Sequence, residues 1–178
     1  TIPMKPTSLY MLGDSLISFG NWPHRLPEFS VTSSGIPGEL AEELLHRLPE
    51  NSSANAPDIF VIMIGTNNFF YNDTDFTSTI ATIVDTLAAR FPAAPVIITG
   101  FPPFEVQGIL PRVKAANREL KELAERTSNY FLELFSPFDI SREQLFEYDG
   151  VHLTEAGYQL WCRLLRDYLT LRLAKNER

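Results

Sequence analysis

The stretch "DIFVIMIGTNN", residues 58–68, sets six apolar residues in a row between an aspartate and a glycine and then turns abruptly polar. A helix of this length would need a polar stripe every three or four residues, and a half-exposed strand would alternate. A run apolar at every position therefore suits a short strand covered on both faces, the condition of a central strand in a parallel sheet. The polar Gly-Thr-Asn-Asn that follows marks the carboxyl end of that strand.

Runs of similar character lie on both sides. "SLYMLG" (8–13) and "FSVTSSG" (29–35) precede it, and "PVIITGF" (95–101) and "YFLELF" (130–135) follow. Between and after them come helical stripes: Leu40, Leu44, Leu45 and Leu48; Phe76, Ile80, Ile83, Leu87 and Phe91; Val113, Ala116, Leu120 and Leu123; and Leu160, Leu164, Tyr168 and Leu171. Strands alternating with helices imply an α/β fold, a three-layer α/β/α sandwich with right-handed crossovers. No repeat or interdomain linker interrupts residues 1–178, so one domain is expected, with "PENSSANAP" (49–57) as a surface loop. Ligands of such sheets bind beyond the carboxyl ends of the strands. That rule gathers "GDSL", "SSGIPG", "IGTNN" and "GFPPF" along one edge of the molecule.

Composition narrows the function classes. The chain has 178 residues, 44% of them hydrophobic, and a formal charge of −7. Such an acidic balance disfavours nucleic acid or an anionic membrane surface as partner, because phosphates must be met by Lys and Arg. A single cysteine, Cys162, excludes an internal disulfide and any Cys-rich metal site, and its setting in "LWCRLL" points to core packing. No run reaches the ~18 apolar residues of a membrane span. The cytoplasm is the expected compartment, with a secreted or periplasmic place left open by an N-terminus that lacks an initiator methionine.

Within "YMLGDSLISFGNW" (10–22) a polar triplet breaks an apolar run, as a strand emptying into a tight turn would, and the turn could hold up Ser15. A reactive serine needs a base, and three histidines exist. His46 lies on a charged helix face and His24 in the loop "NWPHRLP". His152 follows Asp149 by three residues in "YDGVHLT", where the carboxylate could accept the imidazole Nδ1 proton and leave Nε2 for the serine. Taken alone, Asp-Gly is also ordinary turn chemistry. Donors for an oxyanion are available in the backbone N–H of Gly38 and the side-chain amide of Asn67.

Together, "GDSL" with Ser15, "GIPG" with Gly38, "GTNN" with Asn67 and "DGVH" with Asp149 and His152 resemble the successive blocks of the GDSL, or SGNH, hydrolase family, over residues 13–152. The resemblance implies a flavodoxin-like five-stranded parallel sheet and a serine esterase mechanism without a metal or other cofactor. It makes Ser15 the nucleophile, His152 the general base and then acid, and Asp149 its orienting carboxylate. The N–H groups of Ser15 and Gly38 and the amide of Asn67 become the oxyanion hole. Asn68 stands where the commonest third block has aspartate; "GTNN" is similar instead to the platelet-activating-factor acetylhydrolase branch. The G-x-S-x-G elbow of ordinary α/β-hydrolases is absent, because Ile17 occupies the second glycine's place.

A small-molecule ester cleaved through an acyl-serine is the expected substrate. Acyl transfer or thioester hydrolysis at the same site, or a non-catalytic carbohydrate- or lipid-binding module of the same fold, are the alternatives. Asn68, Phe69, Phe70, Phe101 and Phe104 sit in two aromatic-rich loops beside these blocks and are expected to line a short acyl pocket.

Overall fold

The structure, a computed structural model, describes residues 5–50 and 56–176; most of the expected 49–57 loop thus lies outside the described residues. At its centre is Ile59–Met63 (β3), buried at every position. β3 pairs in parallel with Ser8–Gly13 (β1) on one side and Val96–Thr99 (β4) on the other. Beyond these lie Ser30–Gly35 (β2) and Tyr130–Leu132 (β5), giving a five-stranded, all-parallel sheet of order β2-β1-β3-β4-β5. The expected flavodoxin-like sheet is present. Edge strand β2 is the one run of the five without a fully buried residue, in keeping with its serines and threonine.

Ser15–Ser18 (α1), Trp22–Arg25 (α2) and Ala41–His46 (α3) occupy the first part of the chain. Thr66–Phe70 (α4), Phe76–Arg90 (α5), Leu110–Arg126 (α6), Phe135–Ile140 (α7) and Glu155–Asn176 (α8) follow. The stripes expected on α5 and α6 face the core as read. On α8 the face is different. Tyr158, Trp161, Cys162, Leu165 and Leu169 are buried; of the expected stripe Leu160 is buried with them, whereas Leu171 is 65% exposed and Leu164 and Tyr168 are only partly covered. Both sets have helical spacing; the one carrying the tryptophan wins because it buries far more apolar surface. Trp161 packs edge-on against Trp22 with ring centroids 4.7 Å apart, and this contact ties α8 to the segment that follows β1.

Strand order reverses direction between β1 and β3, and in open α/β sheets the crevice at such a point is where ligands bind. The polar segments after β1 and after β3 therefore flank the same opening.

Candidate active site

β1 ends at Gly13, and Asp14 caps the short helix α1 by accepting the Leu16 N–H at 3.0 Å. The turn is fastened from below: Trp22 Nε1 donates to the Ile17 carbonyl at 2.7 Å, and the Tyr158 hydroxyl donates to the Leu16 carbonyl at 2.8 Å. With Leu16 and Ile17 buried, Ser15 is left 8% exposed, and its Oγ lies 3.0 Å from His152 Nε2.

His152 lies in the segment before α8, its ring Nδ1 2.5 Å from Asp149 Oδ2. The other carboxylate oxygen of Asp149 accepts the backbone N–H groups of Val151 and His152, both at 2.9 Å. Partial burial pushes the Asp149 carboxyl up, but the bonds from the His152 ring and from those two backbone groups outweigh it and hold the group below its ordinary value. An ionised Asp149 accepting from Nδ1 fixes the tautomer in which Nε2 faces Ser15 as an acceptor. The other two histidines, His24 and His46, are exposed to solvent.

Gly38 has φ +80°, a left-handed conformation that favours glycine, and a Cβ placed there would meet nothing within 4 Å. Asn67, half-buried on α4, donates from Nδ2 to the Glu39 carbonyl at 3.0 Å, so the third block is tied to the residue beside Gly38. Beneath them Glu39 is paired with Arg47 at 2.6 Å, and Arg47 also donates to the Gly13 and Ser34 carbonyls. One partly buried ion pair thus links the ends of β1 and β2 to the Gly38 turn. Neither Glu39 nor Arg47 stands out in the sequence, where the acidic and basic neighbours of His46 in "ELAEELLHRL" suggest a solvated helix face.

The expected aromatic pocket is placed differently. Gly65, with φ +121°, lies two residues past β3 and directly precedes α4, so "GTNN" opens a helix and not a loop. On that helix Asn67 and Phe70 share one side while Asn68 and Phe69 turn inward. Asn68 is fully buried: its Oδ1 accepts the Ala41 N–H at 3.0 Å, and its Nδ2 donates to Glu42 and Asp73. Phe69, Phe101 and Phe104 are core residues, with Phe69 and Phe101 packed edge to face at 4.9 Å between centroids. Phe70, 47% exposed, is the one residue of the five open to solvent.

The arrangement offers a hydroxyl, a base that can take its proton, and a carboxylate that orients the base. Among the described residues no cluster of three or more His, Cys, Asp or Glu is placed to hold a metal ion, and no helix is long and apolar enough to cross a membrane.

Residues 11–160 match the family described as GDSL-like lipase/acylhydrolase. The chain belongs to that family. As a GDSL-type acylhydrolase it is 28% identical to the human platelet-activating factor acetylhydrolase IB subunit alpha1 over 97% of this chain and 80% of that protein. The human alpha2 subunit is 26% identical over 93% and 77% of the two chains. Among solved structures, a GDSL-like lipase from Bacteroides thetaiotaomicron superposes with TM-score 0.80 at 20% identity, covering 93% of this chain and 89% of the other. A variant of an acetyl xylan esterase from Geobacillus stearothermophilus superposes with TM-score 0.71 at 19% identity, over 90% and 93%. The fold is shared with these structures, and ester hydrolysis is the activity of the family.

Proposed function

We propose that this GDSL-type esterase cleaves carboxylic esters through an acyl-serine intermediate on Ser15, with a preference for short acyl groups. The observation that carries the reading is the unbroken chain Ser15 Oγ, His152 Nε2, His152 Nδ1, Asp149 Oδ2, at 3.0 and 2.5 Å. As Ser15 Oγ attacks the ester carbonyl, its proton passes to Nε2. The imidazolium, stabilised by ionised Asp149, returns that proton to the leaving alkoxide, and water then releases the acyl group by the same route. The developing oxyanion is met by the N–H groups of Ser15 and Gly38 and by the Asn67 amide proton not engaged by the Glu39 carbonyl.

Two observations support short acyl groups. Phe69, Phe101 and Phe104 are buried and packed on one another beyond the ends of β3 and β4, which commits these rings to the core in place of a long open acyl groove. Relatives in sequence and fold carry the names of an acetylhydrolase and an acetyl xylan esterase. Labelling with a fluorophosphonate followed by peptide mapping tests the mechanism: an adduct on Ser15 is expected, and an adduct on any other residue overturns it. Across p-nitrophenyl esters from C2 to C12, kcat/KM should fall beyond butyryl, since each methylene left unburied forfeits ~0.8 kcal/mol. A steady rise to C12 would refute the short pocket and leave the mechanism standing.

A further inference from the structure

Asp14 is fully buried next to Ser15, yet one of its two oxygens is idle. Oδ1 accepts the Leu16 N–H, while Oδ2, equally out of reach of water, has no hydrogen-bond partner. Capping α1 needs one oxygen, which serine or asparagine would supply without placing an ionisable group in the core. A buried carboxylate half-used by its hydrogen bonds is costly to ionise, so its position beside the reacting pair calls for an explanation other than capping.

The charged and titratable groups around it are few. His152 approaches from the segment before α8 and draws Asp14 toward the anion; Glu39, from the Gly38 turn, opposes ionisation but is paired with Arg47. From α8, Tyr158 feels the Asp14 charge and binds the adjacent Leu16 carbonyl. Arg47 reaches the Gly13 carbonyl one residue away. Of these, His152 alone changes charge during the proposed reaction.

We propose that Asp14 is a positioning residue that acts on turnover through charge: buried next to Ser15, whose hydroxyl meets His152, its ionisation favours the His152 imidazolium, and its proton state shapes how activity depends on pH. This rests on the acyl-serine reading of the same site. The Asp14 side chain makes no hydrogen bond to Ser15 Oγ or to His152. Burial raises its carboxyl from 3.8 to about 7, against the pull of the Leu16 N–H and of His152, which puts its titration where the enzyme would work. Because Asp14 and His152 interact, the two titrate as a coupled pair and a rate profile reports the pair.

The test is Asp14→Asn, which keeps the shape and the Leu16 bond but cannot ionise, with Asp14→Ser as a second non-ionising cap should the amide fold poorly. Two readouts are compared with wild type from pH 4 to 9. The first, independent of activity, is unfolding in denaturant. The folded wild type holds a proton that the unfolded chain has lost between pH 3.8 and about 7. Its stability therefore falls through that window, and the variants should gain steadily on it as pH rises. The second is kcat/KM, whose acid limb should move to lower pH by roughly half a unit or more in the variants, once the neighbouring negative charge no longer supports the imidazolium. A buried cap with no influence on His152 would give the same pH-dependent stability gain but leave the rate profile in place, and an unmoved acid limb therefore overturns the proposal. Failure of fluorophosphonate to label Ser15 in the wild type would instead strike at the acyl-serine reading, and the stability readout would still report on Asp14.

Discussion

The Ser15 turn and the His152 segment meet at one 3.0 Å contact but are held in opposite ways. Ser15 stands on the core: Leu16 and Ile17 are buried, and their carbonyls are gripped by Trp22, five residues on, and by Tyr158 from the distant helix α8. Asp149 and His152 are roughly half-exposed and held mostly by their own neighbours, through the two bonds to Asp149 Oδ1, Glu147 N–H to the His152 carbonyl at 2.7 Å, and Gly150 N–H to the Glu147 carbonyl at 2.9 Å. The main tether outward is the Glu105 N–H, which donates to the Gly150 carbonyl at 2.8 Å. The serine's position is thus a property of the whole fold, whereas the base is set by a local turn. Changes at the second should alter chemistry with little effect on stability, and changes under the first should do the reverse.

The largest effects should come from the reacting groups. Ser15→Ala and His152→Ala should each lower kcat by ~10⁴–10⁶, because members of such a unit fail together, and the double variant should be scarcely worse than either. Asp149→Asn should cost up to ~10⁴ by allowing the wrong tautomer. Thermal unfolding of the His152 and Asp149 variants should stay close to wild type, and a large loss of stability there would break the contrast. Full activity in His152→Ala with loss in His24→Ala would overturn the choice of base.

Next are the two asparagines of α4, adjacent in sequence and opposite in setting. Asn67→Ala should reduce kcat by ~10²–10³ with KM little changed, as for removal of one oxyanion donor. Asn68→Ala should act mainly on stability, since it strips a buried partner from the Ala41 N–H, at about 1–3 kcal/mol. Equal kinetic losses with equal stability would mean that the donor is wrongly assigned. Smaller again, Tyr158→Phe should destabilise by about 1 kcal/mol in denaturant titration and leave KM in place, sharpening the claim that the serine turn is braced by the core. The smallest effect is expected at Phe70: replacement by Ala should shift relative kcat/KM towards longer acyl groups by less than about tenfold, read on the C2–C12 ester series.

The same contrast explains how much the sequence discloses. Central strands are legible in "DIFVIMIG" and "PVIITGF" because burial on both faces leaves no polar position, and those two runs anchor the whole sheet. The proposed triad is legible because its chemistry is local: Asp149 and His152 form one turn, and Ser15 interrupts an apolar run. Contacts that depend on direction are not legible. Phe69 and Phe70 are neighbours in sequence, and only the helical path of α4 sends one into the core and leaves the other at the surface. On α8 two sets of apolar residues satisfy the same period, and only the three-dimensional partner Trp22 selects the face with Trp161. Glu39 and Arg47 flank the short helix α3, eight residues apart, and their pairing across it becomes visible only when the chain is folded.

The most direct test of the central claim, that Ser15 carries the acyl group under the control of His152 and Asp149, is to quench the reaction with p-nitrophenyl acetate in acid on the millisecond scale and map the peptides by mass. The expected result is an acetyl group on the peptide bearing Ser15 in the wild type, strongly reduced in His152→Ala and absent in Ser15→Ala, with all three proteins folded. An acetyl group on another residue, or undiminished turnover in Ser15→Ala, would contradict it.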